Sequence, residues 1–147
     1  MTHELAYPAT LTPDDKDGGF VVTFQDVPEA ITQGDDLAGA LAQASDALEE
    51  AIAGRIRRSA PIPEPSETMP GCFTIPVPAL TAAKAALYLA LQEAGITKSE
   101  LAGRLHCDEK EIRRLLDPTH LSKLPRIQTA LAALGKRIAV RLVDEAA

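Results

Sequence analysis

A run of prolines between residues 61 and 78 constrains this chain more than any other feature. Ala60-Pro61-Ile62-Pro63-Glu64-Pro65-Ser66 is followed by Met69-Pro70-Gly71, and Pro76 and Pro78 bracket Val77. Each proline fixes its own φ and lacks an N–H, so neither a helix interior nor a central strand can run through the segment. The 147 residues suffice for one ordinary domain or two small ones. The prolines favour two, at residues 1–78 and 79–147. Charge divides at the same place. Residues 1–78 hold four basic side chains against thirteen acidic ones, a balance of −9, and residues 79–147 hold eleven against eight, a balance of +3. The overall net charge of −6 therefore hides two parts with different expected partners.

Apolar residues make up 46% of the chain, but only five are aromatic, so the core must be built from Leu, Ile, Val and Ala. No apolar stretch reaches the roughly 18 residues that a membrane span needs, and Met1-Thr2-His3-Glu4 lacks the basic and apolar regions of a signal peptide. Cys72 and Cys107 fall in different halves, which suits reduced thiols and a cytoplasmic location.

The first half reads as β-β-β-α-β. Glu4 to Leu11 is expected to be a strand, with Pro8 suggesting a sheet edge. Thr12 to Gly19 has turn chemistry, and Phe20-Val21-Val22-Thr23-Phe24 completes a hairpin. Ala30 to Gln33 makes a short third strand. Asp35 and Asp36 then open a helix whose apolar residues Leu37, Leu41, Ala44, Leu48 and Ile52 recur on one face. Cys72 to Val77 is the expected fourth strand.

The second half reads as helical. Ala82 to Ala94 is a helix closed by Gly95. Thr97-Lys98-Ser99-Glu100 is a capping box that opens a short helix to about Leu105. Asp108 is placed to cap another, ending at Leu116 before Asp117-Pro118. A further helix runs from Leu124 to Leu134, closed by Gly135, and the alternation in Arg137 to Val143 predicts a terminal strand.

Two short capped helices joined by a tight turn at His106-Cys107 form a helix-turn-helix pattern. Leu101, Leu105, Ile112, Leu115 and Leu116 supply its inner faces, and the second helix presents Glu109, Lys110, Arg113 and Arg114 outward. Such a row is either a solvated helix face or a surface for base edges and phosphates. Lys98-Ser99-Glu100-Leu101-Ala102, Ile112-Arg113-Arg114-Leu115-Leu116 and Ala130-Leu131-Ala132-Ala133-Leu134-Gly135 together resemble the Cro/repressor (Xre-type) helix-turn-helix family. His106 departs from that pattern, standing where the family usually has Gly. The resemblance implies DNA binding. With Asp108 as N-cap, Glu109 and Lys110 lie at the entry of the second helix and share one exposed face with Arg113, so Lys110 and Arg113 are expected at base edges and Lys98, Arg114 and Lys123 at phosphates.

The first half carries a second resemblance. Gly18-Gly19-Phe20-Val21-Val22-Thr23-Phe24-Gln25-Asp26-Val27-Pro28, then Thr32-Gln33-Gly34-Asp35, then the Ala-rich helix to Ile52, resemble the HicB antitoxin family. This implies a partial RNase H-like fold and an antitoxin that masks a small basic RNA-cleaving toxin and represses its own operon. Asp14, Asp15, Asp17, Asp26 and Asp35 are the toxin-facing candidates. A homodimer or dimer of dimers is expected, since helix-turn-helix readers act as twofold pairs. The alternative is a stand-alone regulator whose first domain senses a small ligand.

Catalysis is not expected. A two-metal nuclease needs carboxylates on rigid elements, whereas Asp14, Asp15 and Asp17 sit on a hairpin loop. Cys72, His106 and Cys107 lack zinc-ligand spacing, no serine lies in a triad pattern, and Gly18-Gly19 is not a phosphate loop, so neither metal nor cofactor is expected. The expected class is α+β, a small sheet-and-helix domain followed by an all-α domain with a terminal strand.

Overall fold

The structure is a computed structural model in which residues 3–145 are described. It divides into two compact units. One comprises the residues up to Gly54, Pro63–Pro78 and those from Val143 onward; the other comprises Arg55–Ile62 and Ala79–Leu142.

The first unit is a four-stranded antiparallel sheet with a helix. Strands β1 (Ala6–Pro13), β2 (Phe20–Phe24) and β3 (Ile31–Gly34) precede helix α1 (Leu37–Arg57), and β4 (Phe73–Pro76) follows the proline-rich segment. The strand order is β3-β2-β1-β4. The register pairs Leu11 with Val22, Tyr7 with Ile75, and Val22 with Thr32, which sets the alternation of sides. Tyr7, Ala9, Val22, Phe24 and Ile75 are buried on one face, and Ala40, Leu41, Ala44, Leu48 and Ile52 are buried at three- and four-residue steps along α1. These two sets form the core of the unit.

Strand β1 lies inside the sheet, not at its edge as Pro8 suggested. Its pairing explains how the proline is accommodated. Partners from β4 run from Ala6 to Ala9, and partners from β2 begin only at Ala9. At Pro8 the β2 side carries no ladder, so the strand behaves as an edge at that point.

Gly34 brings β3 against α1. An added Cβ there would come closer than 3.0 Å to the backbone N and Cα of Ala40, and would lie 2.7 Å from the carbonyl carbon of Gly39. Gly19 faces Gly34 O in the same way, with φ +73°, so both halves of the hairpin motif need a residue without a side chain. Asp36 then caps the helix, its Oδ1 accepting from Gly39 N at 2.7 Å.

The second unit holds α2 (Ala79–Ala94), α3 (Lys98–Arg104), α4 (Glu109–Leu116) and α5 (Leu124–Ala133). Helix α2 starts three residues earlier than its apolar pattern suggests, directly after Pro78. Leu87, Leu101, Ile112, Leu115, Leu116, Ile127 and Leu131 make its core. Helix α4 packs on α2 and α3, and α5 packs on α2 and α3.

The terminal strand expected over Arg137 to Val143 does not form: residues 136–145 have no regular secondary structure. Alternation alone cannot make a strand, because each backbone group needs a ladder partner, and among the described residues the second unit contains no strand to supply one. Val140 and Leu142 are left 87% and 97% exposed.

Candidate nucleic-acid interface and acidic surface

The geometry of α3 and α4 begins at their ends. Thr97 Oγ1 accepts from Glu100 N at 3.0 Å, closing the first turn of α3. The helix ends with Cys107 N donating to Ala102 O at 3.0 Å and His106 N to Gly103 O at 3.3 Å. That pair of bonds is the Schellman arrangement, which places the intervening residue in the left-handed region. His106 occupies it with φ 53°, so the turn forms in spite of the missing glycine. Asp108 has the extended backbone of an N-cap for α4, but its side chain makes no capping bond.

Helix α4 is sharply two-sided. Ile112, Leu115 and Leu116 are buried, whereas Lys110, Arg113 and Arg114 are exposed and Glu109 is half-exposed. The two carboxylates on this helix are each matched with an arginine. Glu109 Oε2 lies 3.3 Å from Arg113, one turn away, and Glu111 pairs with Arg126 of α5. Lys98 at the start of α3 and Lys123 at the N-cap of α5 are exposed. Arg126 belongs to this charged surface and has no signal in the sequence beyond its type.

Behind the surface lies a residue to which the sequence gives no role. Lys84 of α2 is fully buried, and its Nζ donates to Arg114 O at 3.0 Å and to Ser122 Oγ at 2.8 Å. Burial pushes its ammonium below the usual lysine value, partly countered by the Asp117 carboxylate. Asp117 is itself held below the usual carboxylate range, chiefly by hydrogen bonds from the Thr119 hydroxyl and backbone N–H. One signal was available for Lys84: with Thr81, Tyr88 and Leu91 it shares the buried stripe of α2 at helical spacing.

In the sheet unit, four of the five acidic candidates gather at one end. The register pairs Pro13 with Phe20 and Phe20 with Gly34, so the β1–β2 loop with Asp14, Asp15 and Asp17 lies beside Asp35. Asp26 follows the opposite end of β2. Two of the five have structural work. Asp14 Oδ1 accepts from the backbone N–H of Lys16 and Asp17, and Asp26 accepts from the Ser66 N–H at 2.7 Å and hydroxyl at 2.6 Å. Asp15, Asp17 and Asp35 are exposed. Cys72 stands next to β4 with its Sγ 3.6 Å from Thr10 Oγ1, while His106 and Cys107 belong to the helical unit. Burial raises the Cys107 thiol above its ordinary value, with Glu111 adding to the effect.

Both candidate sites are surfaces of charged side chains, one on the sheet-and-helix unit and one on the helical unit. The family described as HicB-like antitoxin of bacterial toxin–antitoxin system matches residues 6–86. Antitoxin HicB of Escherichia coli (strain K12) is 39% identical over 139 residues, covering 95% of this chain and all of that protein. Antitoxin HicB of Pseudomonas fluorescens (strain Pf0-1) is 34% identical, covering 94% and 95%. Antitoxin HicB 1 of Photorhabdus laumondii is 33% identical, covering 94% and 87%. The chain belongs to the HicB-like antitoxin family. No helix among the described residues is long and apolar enough to cross a membrane.

Proposed function

We propose that this antitoxin masks a small, basic, RNA-cleaving toxin with its first domain (residues 1–78) and represses its own operon with its second (residues 79–147). The observation that carries the DNA half is the two-sidedness of α4. Lys110, Arg113 and Arg114 face outward while Ile112, Leu115 and Leu116 anchor the helix. In this reading α3, the His106 turn and α4 are a Xre-type helix-turn-helix. Lys110 and Arg113, with Glu109, meet base edges, and Lys98, Arg114 and Lys123 meet phosphates. The pairing of Glu109 and Glu111 with arginines supports it, since those carboxylates would otherwise repel the DNA backbone.

The toxin half rests on the −9 balance of residues 1–78 and on the family. Asp15, Asp17 and Asp35 are the exposed carboxylates at one end of the sheet and form the proposed contact, with Asp14 and Asp26 shaping the backbone around it. Complementary charge speeds encounter and suppresses wrong partners. The sheet-and-helix domain is a partial RNase H-like fold in this reading, and the protein acts in the cytoplasm, where its operator is.

The protein is a homodimer or dimer of dimers in this reading, since helix-turn-helix readers act as twofold pairs. Light scattering at micromolar concentration should show an even-numbered oligomer; a monomer that still binds DNA would refute this part.

The test of the whole is co-expression with the neighbouring gene for a basic protein of about 60–80 residues, the size expected of such a toxin. The two should purify together, cells should survive the toxin only with this chain present, and the complex should shift DNA from the operon's upstream region. Survival without this chain would overturn the antitoxin role, and failure to shift that DNA would overturn the repressor role.

A further inference from the structure

We infer that Lys84 is a positioning residue for the DNA-facing side of the helical unit, its buried ammonium clamping the last turn of α4 to the loop that leads into α5. The DNA part of this inference rests on the operator reading above. The clamp itself does not.

Helix α4 has eight residues, too few to persist without its neighbours. Its buried side chains fix one face, but its last carbonyls need partners of their own. Asp117 N turns back to Arg113 O at 2.9 Å and Arg114 O at 3.3 Å. Arg114 O then collects two more donors, Lys84 Nζ at 3.0 Å and Ser122 Oγ at 3.3 Å, and Lys84 also donates to Ser122 Oγ at 2.8 Å. Three segments therefore meet at one point: α2 through Lys84, the end of α4 through Arg114, and the α4–α5 loop through Ser122. A cation at a helix C-terminus is also favoured by the helix dipole.

The clamped residues adjoin those proposed to meet DNA. The Arg114 carbonyl belongs to a proposed phosphate contact and follows Arg113 directly, and Ser122 precedes Lys123. Fixing Arg114 O to Ser122 Oγ fixes the span between the α4 arginines and the lysine at the start of α5. A duplex offers its phosphates at set intervals, so a preformed span avoids the ordering cost of binding. An apolar side chain would fill the same volume without the cost of desolvating an ammonium. What the lysine adds is three donors directed at two oxygens of different segments.

The test compares the full-length protein with Lys84→Met, which keeps the apolar stem, and with Ser122→Ala, a milder cut at the other end of the clamp. Amide exchange is read at His120 and Ser122, whose N–H groups bond to Asp117 O and His120 O. Binding to the operon's upstream DNA is measured at several salt concentrations, at a temperature where circular dichroism shows all variants folded. Both substitutions should speed exchange at these amides and weaken binding, by roughly tenfold for Lys84→Met, the size of one lost charge-assisted hydrogen bond. The salt dependence should not change, because Lys84 touches no phosphate. The double variant should lose less than the two single losses combined.

Wild-type exchange rates at His120 and Ser122 in folded Lys84→Met would overturn the clamp. Faster exchange with unchanged affinity would overturn the positioning role, leaving Lys84 a purely structural residue. A flatter salt dependence would instead make it a phosphate contact, also against the inference. If Lys84→Met does not fold, the same readings on Ser122→Ala decide. If the wild-type protein binds no upstream DNA while both variants speed exchange, the operator reading fails and the clamp stands.

Discussion

Replacing Gly34 by alanine adds a single methyl group, and the structure places it against backbone that no rotamer change can move. The new carbon would lie 2.7 Å from Gly39 C and nearer still to Ala40 N and Cα, whereas ordinary contacts begin at 3.4 Å. The first turn of α1 must therefore withdraw by about 0.7 Å at Gly39 and by more at Ala40, or β3 must bend away from β2. Either motion strains a packed core, at a cost of roughly 1–3 kcal/mol or more for overpacking of this kind. The loss of unfolded-state freedom on going from Gly to Ala returns about 0.4–1 kcal/mol, too little to offset it. Gly34 is not among the glycines with positive φ, so the steric effect is seen without backbone strain. Gly103 is the control: it lies inside α3 with nothing within 4 Å of its would-be Cβ, so Gly103→Ala should stabilise by up to about 1 kcal/mol. Urea unfolding followed by far-ultraviolet circular dichroism compares the three proteins. Equal or higher stability of Gly34→Ala would refute the argument that this glycine exists for close approach of strand and helix.

His106→Gly should raise stability by about 0.5–1 kcal/mol in thermal melts, since an exposed residue with φ 53° gives up its left-handed strain and loses no packing. Arg113→Ala should weaken operator binding by roughly 1–3 kcal/mol and relax preference at one base position, while Lys98→Ala should weaken all DNA alike and lower the salt slope by about one unit. Binding curves on operator and scrambled DNA separate the two, and equal losses on both for Arg113→Ala would make it a phosphate contact. The folded value of Lys84 lies below the ordinary 10.5, so between the two values the unfolded chain binds more protons. The stability of the wild-type protein relative to Lys84→Met should therefore be flat below the folded value and rise with pH from there toward 10.5, which urea midpoints at stepped pH will measure.

The elements that were legible in the sequence have strong local signals. The strands carry alternation and turn residues, α1 carries a three- and four-residue apolar repeat, and Thr97 and Gly95 mark helix ends. Pro8 misled because its effect depends on where the neighbouring strand ends, which is not a local property. The terminal strand misled because alternation describes a strand's faces and says nothing of its ladder. The candidate interface on α4 was legible through the split between apolar and basic positions. Its supporting contacts were not. Lys84 to Ser122 spans 38 residues and Asp26 to Ser66 spans 40, and only the fold brings such pairs together. Lys84 was missed because a lysine in an Ala-rich helix ordinarily points to water; its place on the buried stripe was the evidence against that.

The proline-rich segment between residues 61 and 78 has a consequence for how the protein can be cut. Proteases grip an extended substrate by adding it as a strand, which requires N–H groups along the backbone. From Pro61 to Pro65 every second residue lacks one. Some carbonyls in and beside the stretch are engaged: Tyr7 donates its hydroxyl to Pro63 O at 2.7 Å, Arg55 its guanidinium to Pro61 O at 2.9 Å and Tyr88 its hydroxyl to Ala60 O at 2.8 Å, while Ile62 is buried. The stretch is irregular in conformation yet offers an enzyme little to hold. Residues 66–71 are exposed and hold one proline, Pro70. Nicking of the folded protein in this region is therefore expected just after the proline-rich stretch rather than within it, leaving that stretch joined to α1.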